Sequence, residues 1–448
     1  MGIRNRVSCL ALLMVACTAA ADDQQYASPT ALAELRQAAK TGDTEATFRL
    51  AQIYESGRDG IARNYAESAS WYLAAAQAGH TESQRRLALM HLEGRGVPQS
   101  FEGAQKWFFQ ASQKNDEISQ YQLGLLLLTG RAGKMSVETG IEWLEKSAQA
   151  GHQSAQVELG RLYLDGTHVD RDVERGLSWV REAADQEHPP SMFLLATLYE
   201  SGKLVPENPT MAKTYYTRAA DAGFAGAQVW LAKWYERQDP PQYAKALRYY
   251  KDAADQSNAD GHFGVARLNI ERLLYTPNSQ EGLRHLRAAV ALNHPEAHYT
   301  IGLMYGNGSL SGGSAKSLEH FQHAANLNYT PAMYQLAVAY YQGTPPLKRN
   351  TVLAAQWWQR AAYFGHLDSQ YAYALAHLNG TGVAQNQGIA FALANVAAAQ
   401  GHPDAERLRD QLLEAMSPEL LHDAQDLSVQ LFDQFEVDGA ESIRSNLK

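Results

Sequence analysis

Six histidines recur at one place in a periodic chain: His80, His152, His188, His294, His366 and His402. Imidazole is a common metal ligand and the usual general base near neutral pH, so the series invites a search for chemistry. Its spacing is wrong for that. Histidines on successive helical units stand at least one helix-packing distance apart, roughly 8–10 Å, whereas zinc takes its ligands at about 2 Å. One ion cannot collect them, and a structural, turn-capping role is expected. His294-Pro295-Glu296-Ala297-His298 is not a zinc-protease motif, because Pro295 puts the first histidine outside the helix. His320 and His323 share a helix face at i, i+3 beside Glu319, the spacing of a weak metal pair, but solvated surface is the expected state.

Hydrolytic motifs fare no better. The chain has no G-x-S-x-G, and its S-x-x-K, Ser445–Lys448, lies in a polar tail. Gly94-Arg95-Gly96 and Gly380-Thr381-Gly382 follow helices rather than strands, which makes them turns and not phosphate cradles. No catalytic residue, no metal site and no cofactor are expected. The chain reads as a non-enzyme.

The elements that carry these residues repeat. The clearest copy is Gln153–His188, in which Val157, Leu159, Gly160, Leu162 and Tyr163 fall at helical spacing and Gly166 stops the helix. A second helix runs from Val173 to Ala184 with Leu177, Trp179, Val180, Ala183 and Ala184 on its apolar face. Counterparts of its penultimate residue are Gly79, Asn115, Gly151, Glu187, Gly223, Ser257, Asn293, Asn328, Gly365 and Gly401. Four residues before each stands Ala75, Ala111, Ser147, Ala183, Ala219, Ala253, Ala289, Ala324, Ala361 or Ala397. A small side chain at every copy is a steric rule, set by two helix backbones in close approach. Ten helix–turn–helix repeats are expected over 44–402, each burying its second face only against neighbours.

The ends and the middle depart from the pattern. Residues 22–43 read as a linker and an N-terminal capping helix, Thr30–Lys40, with Leu32 and Leu35 inward. Residues 403–435 read as C-terminal capping helices and 436–448 as a flexible tail. Repeats six (225–258) and seven (259–294) are irregular. Asn269 stands at the usual Tyr and Arg272 at the usual Gly, so the first helix of repeat seven is expected to run on to about Tyr275. Drift in one repeat is the plain reading; a hinge over 225–294 is the functional one.

The pattern A-x-x-x-L-G-x-x-Y-x-x-G, then A/G-x-x-W-x-x-x-A-A-x-x-G-H, resembles the Sel1-like repeat, a relative of the tetratricopeptide repeat. Gln153–His188, Thr81–Asp116 and Leu367–His402 match it best. The resemblance implies an all-α fold, a right-handed α-solenoid of about ten Sel1-like repeats with helical caps, whose concave side binds other proteins. Bacterial members act in envelope assembly, polysaccharide secretion, signalling and host contact. Some cysteine-rich relatives are associated with β-lactam binding, which the cysteine content here does not support.

Composition narrows the partners. A net charge of −9 argues against tracking a nucleic-acid backbone. The ninth residue of the first helices nevertheless includes Arg161, Lys233 and Arg267, and repeat six adds Trp230 and Trp234. Aromatics with arginine often dominate binding energy. These five residues are the candidate groove for protein partners, acidic peptide segments among them. The bland reading is that the tryptophans fill space left by a short repeat and the charges are solvated helix.

The N-terminus suggests export. Arg4 and Arg6 precede an apolar run over 7–21 that ends in Ala19-Ala20-Ala21, the layout of a secretory signal over 1–21. Cleavage there would leave a periplasmic chain without cysteine. The alternative cut is at Met14-Val15-Ala16-Cys17, which resembles a lipoprotein box and would make Cys17 the lipidated first residue of an outer-membrane lipoprotein. Contact with a membrane is expected only through that lipid. The leading expectation is an exported scaffold in envelope assembly or signalling. The alternatives are a lipoprotein assisting an exopolysaccharide secretion complex and a protein associated with cell-wall or β-lactam hydrolysis.

Overall fold

The computed structural model describes residues 29–58, 60–271 and 279–446, with side chains described from 32 to 432 within those ranges. Among the described residues the chain forms 23 helices and no strand. The architecture is all-α, a solenoid-class array of helical hairpins, and it parts into two compact units with the boundary between Ala227 and Gln228.

In the N-terminal unit, α1 (Pro29–Lys40) leads into α2 (Thr44–Ser56) and α3 (Tyr65–Gln77), then α4 (Thr81–Glu93) and α5 (Phe101–Ser112). The pairs α6 (Glu117–Thr129) with α7 (Val137–Gln149), α8 (Gln153–Asp165) with α9 (Val173–Asp185), and α10 (Pro189–Ser201) with α11 (Pro209–Asp221) follow. In the C-terminal unit, α12 (Ala225–Glu236), which starts just before the boundary, pairs with α13 (Tyr243–Asp255), and α14 (Ala259–Ile270) with α15 (Ser279–Ala291). Next come α16 (Pro295–Gly306) with α17 (Gly313–Asn326) and α18 (Thr330–Gln342) with α19 (Thr351–Tyr363). The chain ends in α20 (Leu367–Asn379), α21 (Gln387–Ala399), α22 (Pro403–Ala415) and α23 (Pro418–Asn446).

The repeat is built by its turns and its small residues. All ten penultimate positions, from Gly79 to Gly401, have positive φ, so the chain leaves each second helix through the left-handed region. Glycine takes that conformation freely, and Asn115, Asn293 and Asn328 tolerate it better than most residues. The ten Ala or Ser positions four residues earlier are all buried. The first helices show the same economy: Ser83, Ser119, Ala155, Ser191, Ala297, Ala332, Ser369 and Ala405 are fully enclosed. Within α8 and α9 the backbones touch so closely that a Cβ on Gly160 would meet Val180 at 2.4 Å and the Gly176 carbonyl at 3.1 Å.

Both ends are closed by helices. Leu35 and Ala39 of α1 pack with Ala46, Leu50 and Ile53, and Leu32 joins them from the edge. At the other end Ala424 of α23 enters a core with Phe391, Leu393, Leu408 and Leu412, flanked by Leu421, Leu431 and Phe432. Leu420 and Val429, read from sequence as part of this cover, are 38% and 62% exposed. Two helix ends differ from expectation. The helix α14 stops at Ile270, where the Glu271 N–H bonds the Arg267 carbonyl, short of the expected Tyr275, which itself lies outside the described residues. The helix α23 extends to Asn446, over much of the stretch read as a tail.

Candidate functional site

The recurrent histidines sit one residue before each first helix, as its N-cap. The Nδ1 atoms of His80, His152, His294, His366 and His402 accept the backbone N–H of the third helical residue at 3.1–3.3 Å. That bond satisfies one of the free amides at a helix start. An Nδ1 that accepts is unprotonated, which leaves Nε2–H to donate. It points to a carboxylate on the preceding first helix: His80 to Glu45 at 3.7 Å, His294 to Asp260 at 3.4 Å, His402 to Asp368 at 3.3 Å. Each ring also packs on an aromatic of that same helix: Phe48–His80 and Phe263–His294 at 4.6 Å, Tyr371–His402 at 4.8 Å, Tyr121–His152 at 4.9 Å, and Tyr334–His366 at 5.4 Å. The histidines are therefore clamps between repeats as well as caps. His188 holds the N-cap place without a side-chain bond. Sequence reading found the cap and missed the clamp; the aromatic at the fifth residue of the first helix was the available signal.

The pair His320 and His323 meets a third histidine. His298 Nδ1 lies 3.1 Å from His320 Nδ1, and its ring stacks on His323 at 5.1 Å. One repeat earlier His262 Nδ1 lies 2.8 Å from His285 Nδ1. In each contact one ring nitrogen donates and the other accepts. Burial, and then the neighbouring His320 and His323, push His298 down to about 4. Among the described residues no three His, Cys, Asp or Glu groups are arranged to hold a metal ion.

The five candidate binding residues do not form one described site. Arg161 is exposed on α8 in the N-terminal unit. Trp230, Lys233, Trp234 and Arg267 belong to the C-terminal unit. Lys233 is exposed and lies near Asp260. Trp234 is half-buried, edge-on to Tyr235 at 5.0 Å. Arg267 is not available as a free cation. It pairs with Glu236 of the preceding first helix and with Glu271 at 3.3 Å. Burial opposes its charge, yet the Glu236 carboxylate more than offsets that and raises it further. Arg267 is thus a bolt between α12 and α14. Cys17 and the proposed leader lie outside the described residues.

Sequence reading also missed a face on the C-terminal unit. The fifth and ninth residues of α16, α18 and α20 read Tyr299 and Leu303, Tyr334 and Val338, Tyr371 and Leu375. Leu303 on α16 is 39% exposed, and the other five are half-buried. Lysine and arginine are absent from these three helices, as they are from α6 and α10. No described helix is long and apolar enough to cross a membrane.

The Sel1 repeat pattern matches residues 44–80, 81–116, 118–152, 153–188, 189–224, 225–258, 295–329, 330–366 and 367–402. It skips 259–294, where α14 and α15 nevertheless form a hairpin around Asn269 and the His262–His285 pair. No curated protein matches the chain. Among solved structures, a protective antigen of uropathogenic Escherichia coli with an SLR fold aligns at 24% identity, over 93% of this chain and 89% of its own, with a TM-score of 0.60. A Sel1 repeat protein from Oxalobacter formigenes aligns at 26% identity, over 72% of this chain and 93% of its own, with a TM-score of 0.50. Scaffolds of this kind typically mediate protein–protein interaction and are generally non-catalytic. Nine matched repeats make the chain a member of the Sel1 repeat family.

Proposed function

We propose that the protein is an exported, non-enzymatic scaffold that binds protein partners in cell-envelope assembly or signalling. The reading is supported by the tandem Sel1 repeats, an array of a kind that typically mediates protein–protein interaction, together with Leu303, 39% exposed on α16. A photo-activatable residue at Leu303, compared in cells with one at exposed Glu319 on α17, tests the reading. Cross-linking to a discrete partner from Leu303 alone supports it; no adduct, or equal adducts from both, defeats it.

The Met14–Cys17 box favours a second reading, an outer-membrane lipoprotein assisting an exopolysaccharide secretion complex. Intact mass separates the two. A soluble chain starting at Asp22 supports the periplasmic scaffold, and a membrane-bound chain starting at an acylated Cys17 supports the lipoprotein.

A further inference from the structure

Repeats seven and eight hold a side-chain pair that the others lack. The fourth residue of the first helix is Gln84, Gln120, Gln156, Gln228 or Gln370 in five repeats. The place eight residues before the repeat's penultimate residue is tryptophan in five, Trp179 among them. In repeats seven and eight both places are histidine: His262 with His285 between α14 and α15, and His298 with His320 between α16 and α17. No other repeat has a histidine at either place. Where glutamine stands, its amide can reach back to the preceding second helix, as Gln84 does to the Ala76 carbonyl at 3.0 Å and Gln156 to that of Ala148 at 3.1 Å. The two histidines turn Nδ1 to their own hairpin instead, at 2.8 Å and 3.1 Å.

Neither pair has a good place for an added proton. Arginine only donates, so the Arg284 guanidinium, 3.2 Å from His285 Nε2, fixes that nitrogen as an acceptor. His285 therefore carries its proton on Nδ1 and donates it to His262 Nδ1. A proton added to His262 Nδ1 breaks that bond, and one added to His285 Nε2 sets a second cation against Arg284. In repeat eight His298 is 5% exposed, and its Nε2 makes no hydrogen bond. A charged ring there would be enclosed, with His323 stacked on it at 5.1 Å and no carboxylate among the groups that act on it.

The surroundings favour the neutral form of all four rings, with burial the leading cause at each. At His262, Asp255 of α13 opposes burial and Arg284 reinforces it. At His285, Glu281 opposes it, against His262, Arg284 and Lys251 of α13. His298 has the Val290 carbonyl of α15 in favour of its charge, against His320, His323 and His294. His320 has Glu319 in favour, against His323 and Lys316, and its ring stacks on Tyr305 at 5.5 Å. All four lie below the ordinary 6.5, so the unfolded chain takes up protons first as pH falls. The stabilisation is complete above 6.5 and is lost as pH falls through 6.5 towards the folded values.

We propose that hairpins seven and eight form an acid-sensitive segment, in which protonation of the paired histidines parts α14 from α15 and α16 from α17 while the flanking repeats stay folded. Each repeat packs only on its neighbours, so a local opening need not spread. The capping histidines act at the joints between repeats, whereas these pairs act inside a hairpin.

The test is amide hydrogen–deuterium exchange of the full chain at about pH 7.5 and about pH 5.5, corrected for the intrinsic rate at each pH. Protection of α14 to α17 is expected to fall about tenfold or more between the two, and that of α8, α9, α18 and α19 much less. His262→Gln and His298→Gln each install the residue that five repeats hold at that place, and glutamine does not titrate. Each should cancel the loss in its own hairpin and leave it in the other. Should either lower protection already at the higher pH, His285→Trp or His320→Trp, the tryptophan of repeat four, takes its place under the same expectation. An even loss along the chain assigns the effect to the caps and overturns the proposal. A local loss that survives these substitutions overturns it too, since His294 and the other caps are intact in them.

Discussion

The His402 ring stacks on Tyr371 at 4.8 Å while its Nδ1 caps α22 through the Ala405 N–H at 3.1 Å. One side chain thus ends a turn, starts a helix and fixes the register of two successive first helices. The two roles are separable by substitution. His402→Ala removes both and is expected to cost about 2 kcal/mol, about half for the cap and half for the ring contact. His402→Asn restores a cap acceptor without the ring and should recover about 1 kcal/mol. Chemical denaturation of the three proteins checks this; equal loss in both variants would mean the cap contributes nothing.

The same clamps make stability depend on pH. Burial lowers His80, His152 and His366 from the ordinary value of 6.5, and pushes His188, which holds the same place without a cap bond, down to about 4. A proton on Nδ1 would also abolish the cap, since the atom must then donate. With the folded value below the unfolded one, the unfolded chain binds more protons in between. The stabilisation is complete above 6.5 and is lost as pH falls through 6.5 towards the folded values. Thermal midpoints measured from about pH 7.5 down to about pH 5, where most carboxylates stay ionised, should fall steadily. A flat profile would show that these histidines titrate alike in both states.

Much of this was legible because the repeat obeys local rules. Left-handed turns select Gly or Asn, close helix contacts select Ala or Ser, and both recur at fixed spacing, so ten hairpins could be counted. The histidine clamp was half legible. Its cap is local to three residues, but its stacking partner lies about one repeat away, as with Tyr371 and His402. Arg267 shows a related limit. Ninth-position residues vary freely where they face water, and nothing local to Arg267 announces that Glu236, 31 residues earlier, neutralises it.

Two backbone sites should respond in opposite directions to small changes. Glu187 is exposed and holds φ 59°, a conformation that costs a side chain about 1 kcal/mol and glycine nothing. Glu187→Gly is therefore expected to stabilise by roughly 0.5 kcal/mol after the entropy glycine adds to the unfolded chain. Gly160→Ala places a methyl 2.4 Å from Val180 and should cost about 1–3 kcal/mol through overpacking. Melting of the two single variants against the parent decides both, and a stabilised Gly160→Ala would mean the α8–α9 contact relaxes freely.

Arg267 and Lys233 occupy equivalent places on successive first helices, yet should behave differently. The Glu236 side chain is only 15% exposed, and Arg267 is its cationic partner across the α12–α14 contact. Arg267→Met would leave that carboxylate enclosed without its counter-charge, at a cost of about 2 kcal/mol. Lys233 is exposed, and Lys233→Met should stay within about 0.5 kcal/mol of the parent. A double-mutant cycle of Arg267→Met with Glu236→Gln adds the decisive number. If the bolt is real, the second change should cost little once the first is made, because the buried charge that needed pairing is gone. Fully additive losses would show instead that Arg267 stabilises α14 through its own packing, and would return its charge to the pool available for a partner.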